Sequence, residues 1–549
     1  MIRAFSSRHP IPPHDVCVVG SGPAGLAVAL ECARRGLRVA VLESGVRTPS
    51  SRAGADLTAR TVDPSRHAAL SVASARALGG TSHWWGGRCV RLDPIDLSQR
   101  PWIDGPGWPI DFQDLAAWQD AAAAFLGCEG PFEKEADSRW AELGDVRFDQ
   151  LERWVPEINI ARRHRAVLQS DERIVVLLGA TVTGLQLSAG GDRLDSLQVS
   201  GKDGVTSLHP PFCVLACGGV ETTRLLLAAR RRFPEAFGGD QGPLGRYYMG
   251  HVSGKIADIV LSEPSAAREH DFFLEGASYA RRRLTLGAEA QGDLRLRNIS
   301  FWADNARFHD PSHGSGLLSL VWLGLAFPPL GRRLVSEGVR LSHVGSSKGQ
   351  VGRHLRNVTR DPIALVRQAL SVFVQRFVRR PRKPGFLIAS REGRYALHYH
   401  AEHAPNPASR ITLAEGHDRF GVPVAEIDLR FAQSDARSIL RAHAELDARL
   451  RQAGVARLQY HAPEDQRVAQ VMAQATDGFH QIGTTRMAAR PEDGVVDADC
   501  KVHGVDNLYI ASSSVFPSSG QANPTLATVA LALRLAHHLY RKHQPARPS

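Results

Sequence analysis

Residues Asp15 to Gly45, DVCVVGSGPAGLAVALECARRGLRVAVLESG, constrain the fold of this chain more than any other stretch. Val16, Val18 and Val19 form a short apolar strand, a helix rich in alanine and leucine follows, and Val39, Val41 and Leu42 form a second strand. This is a βαβ unit of a parallel sheet. Gly20, Gly22 and Gly25 stand at the spacing that supplies a tight turn, a close approach to a pyrophosphate and close packing of helix on strand. Glu43 ends the second strand, eighteen residues (43 − 25) after Gly25. A carboxylate there accepts hydrogen bonds from a ribose diol and repels a 2'-phosphate, which favours FAD or NAD over NADP.

The other end of the chain carries a second constellation. GFHQIGTTRM and SSSVFPSSGQANPT place His480 and Asn523 in two turns rich in glycine and serine. Between them VDNLYIA reads as a short buried strand, and after Pro524 the run TLATVALALRLAHHLY reads as a helix with proline at its first turn. The pair is thus delivered beside a helix N-terminus, whose backbone N–H groups point outward. His480 is a candidate base and Asn523 a candidate hydrogen-bonding partner.

Composition excludes several classes. At 549 residues the chain has room for about two to four domains. Hydrophobic content of 43% and charge of 22% are ordinary for a globular protein. The net charge of +11 comes from arginines dispersed along the chain, a compositional bias rather than a nucleic-acid footprint. The seven cysteines form neither CxxC nor CxxCH, so they read as packed thiols such as Cys17 and Cys213, with no zinc or c-type haem site. The first fourteen residues lack an apolar signal core, no run reaches transmembrane length, and a reducing, cytoplasmic setting is expected.

Further segments give the organisation. ARALGGTSHWWGG, with Gly79, Gly80 and Thr81, is a glycine-rich loop that permits close approach to a flat ring or a phosphate. FCVLACGGVETTRLLLAA reads as strand, turn and helix of the same nucleotide-binding sheet, with the helix capped near Glu221, and Ala180 to Leu185 begins a β-meander leading to it. From Gly254 to Ala469 the pattern shifts to alternating strands such as RYALHYHAE and helices such as SDARSILRAHAELDARLRQAG, an antiparallel sheet backed by helices. His398, His400 and His503 read as structural, although the first two sit on a strand that could face a substrate pocket. Residues 362–385 place Ile363, Val366, Leu370, Phe373 and Phe377 at helical spacing, with Arg376, Arg379, Arg380, Arg382 and Lys383 at the end. The first reading is a core-facing helix with a cationic last turn; the alternative is an interfacial or partner-docking helix.

Taken in order, GSGPAGL with Glu43, LGGTSHWWGG, VLACGGVETTRLLL, GRYYMGH, APNPASRITL, HQIGTTRM and VHGVDNLYIASSSVFPSSGQANPTLATVALALRLA resemble the glucose-methanol-choline (GMC) oxidoreductases, from Asp15 to His538. The branch they are most similar to is bacterial and acts on sugars, glycosides and cyclitol-like alcohols. The resemblance implies a Rossmann-like α/β FAD-binding domain assembled from 1–100, 170–253 and 470–549. A substrate domain from 101–169 and 254–469, built on a mostly antiparallel sheet, would cover the isoalloxazine. Gly20, Gly22, Gly25 and Glu43 would hold the ADP half, with a backbone contact from Val182 to adenine; Gly79, Gly80 and Thr81 would run along pyrophosphate and flavin, and Ser512, Pro524 and Thr525 would complete the set. Ser512 stands where many members have Asp, and Ala488 where Gly is usual. The slot used by some members to attach FAD covalently is Trp84, with His83 one residue early, so non-covalent FAD is expected.

The implied reaction is oxidation of an alcohol by hydride transfer to flavin, with His480 taking the hydroxyl proton and Asn523 orienting the oxygen. An imidazole titrates at about 6.5, which suits that task, and an amide both donates and accepts. Electrons would pass on to oxygen, a quinone or a carrier protein. The alternatives are a GMC-type lyase with non-redox FAD and a non-catalytic basic binding protein on a vestigial flavin fold.

Overall fold

In the computed structural model, which describes residues 1–50, 54, 56–136, 138–334, 344, 350–390 and 392–544, a six-stranded parallel sheet organises the first of two hydrophobic cores. Its strands run in the order Ile2–Ala4, Ile174–Leu178, Val39–Glu43, Val16–Val19, Phe212–Leu215, Leu508–Ile510. Every residue of Val16–Val19 and of Val39–Glu43 is buried, as expected of strands covered on both faces. The helix Pro23–Arg34 leaves the first turn and packs against Thr525–His543, which in turn packs against Phe112–Leu126. Alanines at the first contact, among them Ala27, Ala530 and Ala536, are fully buried. The meander expected from Ala180 onward is formed by Thr181–Leu187, Leu194–Gly201 and Gly204–Leu208. The helix expected to be capped near Glu221 instead begins at Gly219, because the glycine pair already turns the chain and leaves Glu221 in the first turn.

The second core lies under a six-stranded sheet ordered Ala456–Tyr460, His251–Leu261, Arg394–Glu402, Ile299–Asp304, Leu284–Leu286, Val146–Arg147, in which all neighbours are antiparallel. Helix Gln433–Gln452 covers one face with Ile439, Ala442, Leu446 and Leu450. Two segments placed by sequence with the substrate region contribute to the first core instead: Leu115, Ala122, Ala123 and Leu126 of one helix, and Ile411, Ala425 and Ile427 of the hairpin Arg410–Asp428, which extends Ala59–Thr61.

Between Asp304 and Arg394 the chain makes a helical excursion containing Gly316–Ala326, Val351–Arg360 and Pro362–Phe373. It has a small interior of its own, where Trp322 stacks on His354 with ring centres 4.0 Å apart and His354 Nδ1 meets Ser319 Oγ at 3.0 Å. The core-facing reading of residues 362–385 does not hold. No residue of helix Pro362–Phe373 is buried, and its apolar stripe faces outward. The apolar spacing is present, but the sheet's covering face is already filled by Gln433–Gln452.

Candidate functional site

A deep cleft opens at the carboxyl ends of the parallel strands, the place where open α/β sheets bind ligands. Val19, Glu43, Ala216 and Ala511, at or just beyond the ends of four strands, form its floor. Three helices start there: Pro23–Arg34, Gly219–Arg230 and Thr525–His543. None is capped by the side chain of its own N-cap residue, and although Gln481 Oε1 accepts from Val220 N at 3.0 Å, other first-turn N–H groups are left for a ligand.

The glycines divide into two roles. Gly20 has φ of +104°, and a Cβ there would lie 2.5 Å from the carbonyl oxygen of Ala216; at Gly25 a Cβ would lie 2.1 Å from the carbonyl oxygen of Gly20. Both are required by the protein itself. Gly22 differs, because a Cβ on it would meet no protein atom within 4 Å. Gly22 therefore lines space kept open for something else, and it lines the cleft together with Gly20, Gly80, Thr81 and Val182. Gly25 and Gly79 stand behind the cleft wall rather than on it. Glu43 is buried and lines the cleft, and its carboxylate already accepts from Ser21 N (3.1 Å), Ser21 Oγ (2.6 Å) and Gly45 N (2.7 Å). Burial nevertheless raises its pKa, with these bonds opposing the rise. Ser512 lines the same wall and caps the turn Ser513–Val515 by accepting from Ser514 N at 3.2 Å, while Pro524 and Thr525 open the last helix beside it.

His480 and Asn523 meet in this cleft. Asn523 Nδ2 lies 3.1 Å from His480 Nε2. Asp477, three residues earlier, sets the imidazole. Its carboxylate accepts from the backbone N–H groups of Phe479 (2.9 Å), His480 (3.2 Å) and His251 (2.6 Å), and its Oδ2 is 3.2 Å from His480 Nδ1. Burial alone would raise this carboxyl, but the charge and hydrogen bond of His480, together with His251, hold it well below the usual range. A permanent anion at Nδ1 keeps the proton on that nitrogen and leaves Nε2 as the basic atom, accepting from Asn523. Asn523 Oδ1 is buried with no partner among the described residues, an acceptor still to be satisfied.

A second wall comes from the antiparallel sheet. His251, the first residue of its strand, places Nδ1 2.9 Å from His480 Nδ1. An antiparallel bridge between Met249 and Ile482 holds the two histidines in register. His400, on the adjacent strand, stacks on the His251 ring at 4.2 Å, and its Nδ1 meets Ser253 Oγ at 2.5 Å. Burial, reinforced by the neighbouring His480, lowers the pKa of His251 to about 3; burial and then His251 and His480 push His400 well down. Both are neutral, so His251 can accept the proton that His480 Nδ1 shares with Asp477. The ligand nitrogens of the three histidines lie within 4.8 Å of one another, close enough for an ion, but the two Nδ1 atoms already face each other across one hydrogen bond.

Asp477 and His251 were not singled out by sequence as parts of the site, and His400 was read as structural, with a strand facing a substrate pocket as the alternative. The usable signals were an acid three residues before His480 and the alternation of His398, His400 and Glu402 on one strand face. His398 stacks on Trp302, and His503 Nε2 donates to the Ala488 carbonyl at 3.1 Å, a structural contact.

Two family models match the chain: GMC oxidoreductase over residues 405–532 and FAD dependent oxidoreductase over residues 15–239. The chain thus carries a GMC oxidoreductase C-terminal segment together with an FAD dependent oxidoreductase segment. The relatives span the same length. Paromamine 6'-oxidase of Streptomyces fradiae is 23% identical over 579 residues, covering 95% of this chain and 90% of its own. The 2-methyl-1,2-propanediol dehydrogenase of Mycolicibacterium austroafricanum is 23% identical, covering 96% and 95%. Among solved structures, pyridoxine 4-oxidase from Mesorbium loti superposes with a TM-score of 0.56 at 18% identity, over 97% of this chain and 100% of that one, a likeness of fold.

With these two segments the protein is an FAD-dependent enzyme. The cleft fits such a group: a glycine whose missing side chain leaves open space, three helix N-termini without a cap from their own N-cap side chains, and an acid at the end of the second strand are the features a dinucleotide needs. Among the described residues no helix is long and apolar enough to cross a membrane.

Proposed function

We propose that this protein is a GMC oxidoreductase that oxidises a hydroxyl group of a sugar, glycoside or cyclitol-like alcohol to a carbonyl, with His480 as base and Asn523 as the group that orients the substrate oxygen. The observation that carries this reading is the pairing of His480 Nε2 with Asn523 at 3.1 Å inside the cleft, beside an amide oxygen that has no partner among the described residues. Asn523 Oδ1 accepts the substrate hydroxyl or Nδ2 donates to its oxygen, and His480 Nε2 takes the proton as the carbonyl forms. Asp477 holds the imidazole and stabilises the imidazolium that results. Bound FAD supplies the two-electron acceptor for the hydride that leaves the carbinol carbon. The sugar-like substrate class is supported by likeness to paromamine 6'-oxidase.

For the cofactor, the first turn of Pro23–Arg34 with Gly20 and Gly22 would take the diphosphate, Glu43 the ribose, and Val182 the adenine edge. Gly80, Thr81, Ser512, Pro524 and Thr525 would lie along the remainder, with Gly25 and Gly79 supporting the turns from behind. FAD is held without a covalent bond in this reading: His83 spends Nε2 on the Leu78 carbonyl at 3.0 Å and meets Asn159, while Trp84 lines the cleft. Acid precipitation should release all the flavin into the supernatant.

The test is anaerobic bleaching of the flavin by a panel of monosaccharides, glycosides, aminoglycosides and cyclitols. At least one is expected to bleach it, at a rate that depends on His480. If none does while the enzyme cleaves or isomerises a substrate, a lyase with non-redox FAD replaces this reading. Adding oxygen or a quinone to the bleached enzyme then assigns the acceptor.

A further inference from the structure

The helical excursion between the strands Ile299–Asp304 and Arg394–Glu402 has no part in the chemistry above, yet it carries the largest concentration of exposed apolar side chains. Twelve of the 22 exposed large hydrophobic residues among those described fall between Leu320 and Val378. Five form a stripe along helix Pro362–Phe373 and the turn after it: Ile363 is 83% exposed, Val366 65%, Leu370 60%, Phe373 54% and Phe377 60%. Val351 and Leu355 on the neighbouring helix Val351–Arg360 are exposed as well. Scattered apolar residues are normal on a surface; a clustered stripe on a helix with nothing buried marks an interface.

The charge beside the stripe is one-signed. Between residues 350 and 382 there are eight arginines and one acid, Asp361, a net of +7 (8 − 1), and all eight arginines are exposed. Among the described residues none of Arg376, Arg379, Arg380 and Arg382 is paired with a carboxylate, and Arg376 and Arg380 donate to backbone carbonyls instead. The base of the excursion is fastened to the body of the protein. Lys383 is buried with Nζ 2.6 Å from Asp271, and Asn305 bonds the backbone of Phe386 and Ile388.

We propose that this face docks the protein on an anionic phospholipid surface, with helix Pro362–Phe373 lying in the interface. An apolar stripe flanked by unpaired guanidinium groups matches acyl chains beneath a plane of phosphates. Two copies of the same face would repel each other, which disfavours self-association as its purpose. The helix is too short to span, in keeping with a surface attachment. The strand that receives the excursion also carries His400, four residues beyond the Ala396 paired with Asp304, so His400 lies roughly 14 Å along that strand from where the excursion leaves the sheet.

The experiment uses the flavin-loaded protein with vesicles of phosphatidylcholine alone or with one quarter phosphatidylglycerol. Cosedimentation with the anionic vesicles is expected to exceed that with neutral vesicles at least tenfold and to fall as salt rises from 0.1 to 0.5 M. The double variant Ile363→Glu/Phe373→Glu should lose at least tenfold in partitioning while keeping its flavin spectrum and its turnover in solution. Replacing Arg376, Arg379, Arg380 and Arg382 by Gln should remove the preference for anionic vesicles. The proposal is overturned if the protein stays in the supernatant with both vesicle types, if the double variant binds as the parent does, or if the parent dimerises through this face without binding vesicles.

Discussion

The two walls of the cleft are built on opposite principles. One, at the ends of the parallel strands, is mostly backbone: glycine turns and helix N-termini whose function comes from what the side chains leave out. The other, at the edge of the antiparallel sheet, is made of side chains: Asp477, His251 and His400 set around His480. The first kind of wall fails when an atom is added, the second when one is exchanged.

The largest expected effect tests the first wall. Gly25→Val would drive side-chain atoms into the Gly20 carbonyl, and we expect no folded, flavin-containing protein at all by circular dichroism and absorbance. A coloured Gly25→Val protein would show that this turn tolerates more than its geometry allows. On the second wall, His480→Ala should slow flavin reduction by about two to four orders of magnitude in stopped flow while FAD stays bound. Normal reduction in that variant would remove His480 from the chemistry.

Asp477→Asn should cost about a hundredfold in the same step, because the imidazolium formed at His480 loses its counter-charge. An unchanged rate of flavin reduction would mean that Asp477 only shapes the loop. Gly22→Ala separates the two principles most sharply. Its Cβ touches no protein atom, so the apoprotein should melt as the parent does, while FAD affinity falls about tenfold by fluorescence titration. Equal affinity would mean that the open space beside Gly22 is not used by the cofactor.

The smallest effect concerns acid stability. Burial holds His251 neutral with a pKa of about 3, against about 6.5 unfolded. Between those values the unfolded chain binds the extra proton, so stability is full above about 6.5 and declines as pH falls. His251→Gln should therefore lose roughly 2 kcal/mol less than the parent on going from pH 7 to 4.5, measured by denaturant titration at each pH. Identical slopes would place the acid-sensitive group elsewhere.

The difference between the walls also explains what could be read from sequence. A backbone wall leaves its record in local spacing, so Gly20, Gly22, Gly25 and Glu43 were legible with the strands beside them, as were the α/β class and the antiparallel region. His480 and Asn523 were legible because each sits in a distinctive turn. His251 was not, and His400 was legible only as one of two histidines on a strand that could face a pocket, since their meeting depends on the pairing of Ser253 with His400 and on the bridge between Met249 and Ile482, contacts between residues far apart in the chain. The stripe of residues 362–377 had the right period but the wrong implication: periodicity shows that a helix has an apolar face and not what covers it.

The packing of Thr525–His543 against Pro23–Arg34 sets an order of events in the making of this enzyme. The first turn is synthesised some five hundred residues before the helix and the Asn523 turn that complete its cleft. During translation the nascent sheet exposes an open groove and an unpaired edge at Phe212–Leu215, where Leu508–Ile510 will later add. Cofactor loading and escape from aggregation therefore depend on the same late step, and flavin supply during expression should govern the yield of folded protein as much as its activity.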